Sequence, residues 1–146
     1  MTYRDRMTAD LKRFPLDRKA VRQLQLELET IQAEMTAIKA TNYDKMPTGS
    51  GTNTQQEKII DAIARKEEKT ANLHATELKV RDMENLLNEL SPEDRELIEK
   101  TIIQRERNAE EILADKMGLE KRQVFNRKNT AINKLCMIRY GQGYQP

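Results

Sequence analysis

Residues 109–135, AEEILADKMGLEKRQVFNRKNTAINKL, decide how the rest of the chain is read. They form two short helical patterns on either side of Gly118. Ile112, Leu113 and Met117 give the first pattern an apolar stripe at helical spacing. Ala114 is small where two helices must approach closely. Gly118 should end the first helix, because glycine enters the left-handed region without a Cβ penalty. Leu119 then turns inward, and Val124 opens the inner face of the next helix. A small residue, a glycine four positions later and flanking aliphatics are what a helix-turn-helix requires.

At 100° per residue, Val124, Lys128, Ala131, Leu135 and Ile138 fall on one side of the second helix. Arg122, Asn126, Asn129 and Asn133 fall on the other, with Lys121 and Phe125 at the flanks. Arginine pairs with guanine edges and asparagine with adenine edges in the major groove. Arg122, Asn126 and Asn129 are therefore the candidates for reading bases, assisted by Lys121. Arg127, Lys128, Lys134 and Arg139 are placed for phosphates, contacts that set register and salt dependence.

Outward from this stretch, composition narrows the fold class. Charged residues make up 34% of the 146, aromatics 4%, and tryptophan is absent. Mean hydropathy is −0.85. Such a chain cannot wrap one thick core, but it suits long amphipathic helices with narrow apolar seams. The expected class is all-α: two long antiparallel or coiled-coil-forming helices, then a helix-turn-helix domain. The net charge of +2 is nearly neutral, yet it is unevenly spread. Residues 119–146 hold six Lys/Arg against Glu120 alone, whereas residues 77–100 hold eight acids and four bases. That asymmetry fits phosphate contact confined to one end.

The single cysteine, Cys136, allows no intrachain disulfide and reads as a small buried hydrophobe. No signal peptide or long apolar run is evident, so neither secretion nor a membrane span is expected. His74 stands without the neighbouring Cys, His or carboxylate cluster a metal site needs. Neither a metal nor another cofactor is expected.

In chain order, Tyr3, Met7 and Leu11 suggest a short amphipathic helix over 1–13, broken at Phe14-Pro15. Asp17 is then the N-cap of a long helix over 18–40. Its apolar residues Val21, Leu24, Leu28, Ile31, Met35 and Ile38 are spaced as a heptad seam. That seam needs a partner helix, from this chain or from a second copy. Residues 41–56, with Pro47, Gly49 and Gly51, read as a linker, to which Tyr43 and Met46 could anchor. A second long helix over 57–89 shows a leaner seam of Ile59, Ile63, Thr70, Leu73, Val80 and Leu87. Ser91-Pro92-Glu93-Asp94 has the form of a helix start, and Asn108 with Glu111 repeats that logic. Leu90, Leu97, Ile98 and Ile102 are the buried side of the helix between. The expected organisation is a helical N-terminal region over 1–89, a DNA-binding domain over 90–140 and a flexible tail over 141–146. Tyr140 is placed to pack back onto the domain.

Residues 90–135 resemble the C-terminal DNA-binding region 4 of bacterial sigma factors. There too, a leucine-proline-acid start leads through a helix to a helix-turn-helix. The chain also resembles the ArpU/RinA-like late transcription regulators of Gram-positive phages and prophages. The shared features are Tyr43-Asp44-Lys45-Met46-Pro47 with Gly49, then Glu57-Lys58-Ile59-Ile60. Val124-Phe125, Lys128, Ala131-Ile132, Lys134-Leu135 and Tyr140-Gly141 follow in matching order. The resemblance implies a cytoplasmic, non-enzymatic regulator that binds double-stranded DNA and activates late genes for packaging, morphogenesis or lysis. Two positions depart from the pattern. Glu120 stands where Ser or Thr usually caps the reading helix, and Arg127 stands where an aliphatic residue is common.

Three other readings compete. A sigma-like factor would bring RNA polymerase as a partner. A small terminase-type packaging protein also pairs a helix-turn-helix with oligomerising helices. A scaffold or adaptor would use the Val21 to Ile38 seam without DNA. A homodimer through the long helices would present two reading helices, about one DNA turn apart. No paired carboxylates in a plausible pocket and no Cys-His arrangement point to an enzyme.

Overall fold

Apolar residues recur at three- and four-residue steps from Met7 to Phe14 and from Val21 to Ile38, and the chain answers with one helix, α1 (Tyr3–Asp44). In the computed structural model, residues 1–44 and 52–146 are described, with side chains for 1–40 and 54–146. The helices that follow are α2 (Thr52–Asn88), α3 (Pro92–Ile98), α4 (Ala109–Met117) and α5 (Lys121–Tyr140). A π-helical turn (Glu99–Ile103) prolongs α3, and a 3-10 turn (Gly141–Gly143) follows α5. The described residues include no strand, and the fold is all-α. No described helix is long and apolar enough to cross a membrane.

The expected break at Phe14-Pro15 does not occur; Pro15 lies inside α1. Proline in a helix interior costs about 3 kcal/mol. Burying Met7, Leu11 and Phe14 along one continuous face offsets it, at about 1.5–3 kcal/mol per large side chain. Asp17 is accordingly not an N-cap. It accepts a hydrogen bond from Arg13 Nε one turn earlier, at 3.2 Å. The helices also run further into the expected linker than 41 and 56 allow. Pro47, Gly49, Gly51 and Met46, like the Tyr43 side chain, lie outside the described residues.

By compactness the chain divides into Arg18–Leu78 and a second unit of Met1–Asp17 with Lys79–Pro146. In the first unit, Val21, Leu24, Leu28, Ile31, Met35 and Ile38 are the shielded positions of α1, as the heptad spacing requires. Their cover comes from α2 of the same chain. Lys69 Nζ lies 2.9 Å from Glu27 Oε2, and Arg65 Nη2 lies 3.0 Å from Glu34 Oε2. Partner numbers rise on one helix as they fall on the other, so the two run antiparallel. The α2 seam passes through Ile59, Ala62, Lys69, Leu73 and Thr76; Ile63 and Thr70, expected on it, are exposed. The aliphatic stem of Lys69 can occupy a seam position while its ammonium reaches Glu27.

The other unit contradicts the boundary expected at 89/90. Its main core joins Met7, Leu11 and Phe14 of α1 to Met83, Leu86 and Leu87 of α2, and to Ile98, Ile102, Ile132, Leu135 and Cys136. A domain of three short helices buries a small fraction of its surface and is marginal, and the two long-helix ends add Met7, Leu11, Phe14, Met83, Leu86 and Leu87 to its core. The C-terminal segment is also part of it. Tyr144 is buried, and its hydroxyl bonds Asn133 Oδ1, so 141–146 is not a bare tail. The Tyr140 ring stacks on Tyr3 with centroids 4.5 Å apart.

Candidate nucleic-acid interface

The interface is built from α3 upward. Ser91 caps α3 as its sequence requires, its Oγ accepting from the Asp94 N–H at 3.2 Å, with Pro92 at the first helical position. Leu97 then meets Leu113, Ala114 and Val124 in a small second core, with Leu119 against it. Ala114 is buried where the helices approach. Ile112, expected on the inner stripe, is 58% exposed, and the buried face of α4 is Ala109, Leu113 and Ala114. Asn108 precedes α4 with a left-handed backbone, φ 58°, and its side chain caps nothing.

The turn between α4 and α5 follows the expected chemistry. Gly118 is left-handed at φ 67°. The Leu119 N–H donates to Ala114 O at 2.9 Å and the Gly118 N–H to Asp115 O at 3.4 Å, which closes the end of α4 in a Schellman arrangement. Glu120 opens α5. Its N–H donates to Gln123 Oε1 at 2.9 Å, so the glutamine supplies an acceptor that this helix start needs.

Along α5, Val124, Ala131 and Leu135 point inward as expected, but Ile138 is exposed and Ile132 and Cys136 are buried. The inner arc is rotated toward Ile132 because the start of α1 packs there. That rotation changes the outer face. Arg122, Gln123, Phe125, Asn126 and Thr130 are exposed. Asn129 and Asn133 are half-buried at its edge. Arg4 Nη2 donates to Asn129 Oδ1 at 2.8 Å, and Tyr144 holds Asn133. Of the residues expected to read bases, Arg122 and Asn126 are exposed and sit one turn apart, whereas Asn129 is half-buried and bonded to Arg4.

The cations expected near phosphates are engaged within the protein. Arg127 Nε donates to Asp94 Oδ1 at 2.7 Å and its Nη2 to Glu93 Oε2 at 2.8 Å. Those bonds, first to Asp94 and then to Glu93, raise the guanidinium above its ordinary pKa. Lys128 Nζ donates to Glu110 Oε1 at 2.8 Å and sits 5.3 Å from the centre of the Phe125 ring. Lys134 Nζ donates to Glu89 O at 2.8 Å. Arg139 joins Asp10 and Asp82. Lys121 makes a longer, exposed contact of 3.5 Å with Glu111. The acid-rich segment thus supplies Asp82, Glu93 and Asp94 to the cations of α5, and α1 and α4 supply Asp10, Glu110 and Glu111. Arg122 is the α5 cation with no bonding partner among the described residues.

Sequence reasoning missed Gln123 and Thr130 on the outer face, and the approach of Arg4 to Asn129. The first two could have been found by rotating the helical wheel toward Ile132 and Cys136. The third joins residues 125 positions apart and has no local signal. Compared with known proteins, the chain matches no family model, no curated sequence and no solved structure.

Proposed function

We propose that the chain is a sequence-specific DNA-binding transcriptional regulator whose α5 lies in the major groove of a duplex. The supporting observation is the exposed pair Arg122 and Asn126, one turn apart just after a three-residue turn. Arginine and asparagine are the side chains that make bidentate contacts with guanine and adenine edges. Gln123 and Thr130 flank them and can also bond to bases. In this reading the protein acts in the cytoplasm of a bacterial host on late phage or prophage genes, as the ArpU/RinA-like resemblance suggests.

The test is selection of bound duplexes from a random pool, followed by affinity measurement at physiological salt. Arg122→Ala or Asn126→Ala should each weaken the selected site by about 1–3 kcal/mol and relax preference at one base pair. Equal loss on selected and random duplexes would refute the base-reading role. A second reading, a helical adaptor, draws support from the ion pairs that engage most α5 cations. It expects no duplex binding at physiological salt. A pull-down with core RNA polymerase separates a sigma-like role from both.

A further inference from the structure

The first turns of α1 lie beside α5, and they bring cations that the helix-turn-helix pattern does not include. An open cleft of about 690 Å³ is lined in part by Arg4 and Lys12 of α1, Arg105 of the loop before α4, and Phe125, Lys128 and Asn129 of α5. Lys12 and Arg105 are exposed and, among the described residues, bond to no carboxylate. Arg4 is held by the neutral amide of Asn129, so it keeps its full charge and its other N–H donors. Of the two acids on the cleft, Glu106 is paired with Lys100 at 3.0 Å, whereas Asp5 accepts only from neutral Thr2 and keeps its charge. Because Lys128 is paired with Glu110 and Glu106 with Lys100, the cations Arg4, Lys12 and Arg105 face the single unpaired carboxylate of Asp5, a balance that suits a polyanion. Phe125 and Asn129 line this cleft and flank Asn126, so it continues from the proposed reading face.

We infer that this cleft, through Arg4, Lys12 and Arg105, holds the phosphate backbone of the duplex that α5 reads, making the N-terminal helix part of the DNA interface. The inference rests on the DNA-binding reading above. Its chemistry is that of sequence-independent contact. Each cation placed at a phosphate releases counterions, and affinity then falls with salt in proportion to the number of such contacts.

The experiment titrates the full chain against a fluorescein-labelled mixed-sequence duplex of about two helical turns, over a series of salt concentrations. The double variant Lys12→Gln/Arg105→Gln should flatten the slope of log affinity against log salt by about 1.8, or about 0.9 per lost contact. Both side chains are exposed, and circular dichroism should show the same helix content as the wild type. A charge-matched control, Lys19→Gln/Arg22→Gln in the other compact unit, should leave the slope unchanged. If both double variants flatten the slope equally, net charge is responsible and the cleft assignment is overturned. If the wild type binds and Arg122→Ala loses sequence preference, but Lys12→Gln/Arg105→Gln keeps the full slope, the cleft assignment alone fails. If the wild type binds no duplex at low salt, both readings fail together.

Discussion

Arg127 separates what the sequence suggests from what the fold does with it. Its place on a basic helix marks it for phosphate, yet its guanidinium bridges α5 to the first turn of α3 through Asp94 and Glu93, at 2.7 and 2.8 Å. The side chain retains 34% of its exposure, so each pair falls in the partly screened range of about 0.2–1 kcal/mol. Arg127→Ala should therefore destabilise the chain by about 0.5–2 kcal/mol. Arg127→Lys should recover part of that, because an ammonium keeps the charge without the fork. The assay is urea denaturation followed by far-ultraviolet circular dichroism, repeated at about 1 M salt, where screening should shrink the difference. Duplex binding provides the second readout. A guanidinium committed to two carboxylates contributes no phosphate contact, so the salt slope of binding should be that of the wild type. If Arg127→Ala is as stable as the wild type and its slope is flatter by about 0.9, Arg127 serves DNA and the structural assignment is wrong.

Three further outcomes are expected. Gly118→Ala should lose about 1–2 kcal/mol in the same denaturation assay, and Gly118→Asn less, because the backbone is left-handed and an added Cβ meets nothing within 4 Å. Equal stability of the two variants would count against backbone strain as the cause. Cys136 is fully buried, and burial pushes its thiol pKa up; a thiol-specific reagent should label it slowly in the folded chain and rapidly in denaturant. Glu27 has its pKa lowered, chiefly by the hydrogen bond from Lys69. A carboxyl depressed in the folded state stabilises above its ordinary value of 4.5 and loses that contribution as pH falls through the folded value. Wild-type stability should therefore drop more on acidification below about 4.5 than that of Glu27→Gln, measured by thermal unfolding across a pH series.

Much of this architecture is written locally. The heptad steps from Val21 to Ile38, the Ser91-Pro92 start of α3 and the Gly118 end of α4 each depend on a few neighbouring residues. Propensity, capping and backbone conformation act over one or two turns, so such features can be read from the order of residues. All three occur where the sequence places them. The outward placement of Arg122 and Asn126 follows from the same periodicity.

Tertiary packing decided the remainder. Pro15 stays within α1 because the burial of Met7, Leu11 and Phe14 outweighs the proline penalty, a balance visible only once their partners Met83, Leu86 and Leu87 are in place. The α2 seam runs through Ala62 and Lys69 instead of Ile63 and Thr70, because the antiparallel partner sets which residues are covered. Asn129, Asn133 and Arg127 look like a nucleic-acid face in one dimension. In three, Arg4, Glu93 and Asp94 reach them from distant parts of the chain, and Tyr144 from the turn after α5. Periodicity tells which residues share a side of a helix; only the arrangement of the other helices tells whether that side meets solvent or protein.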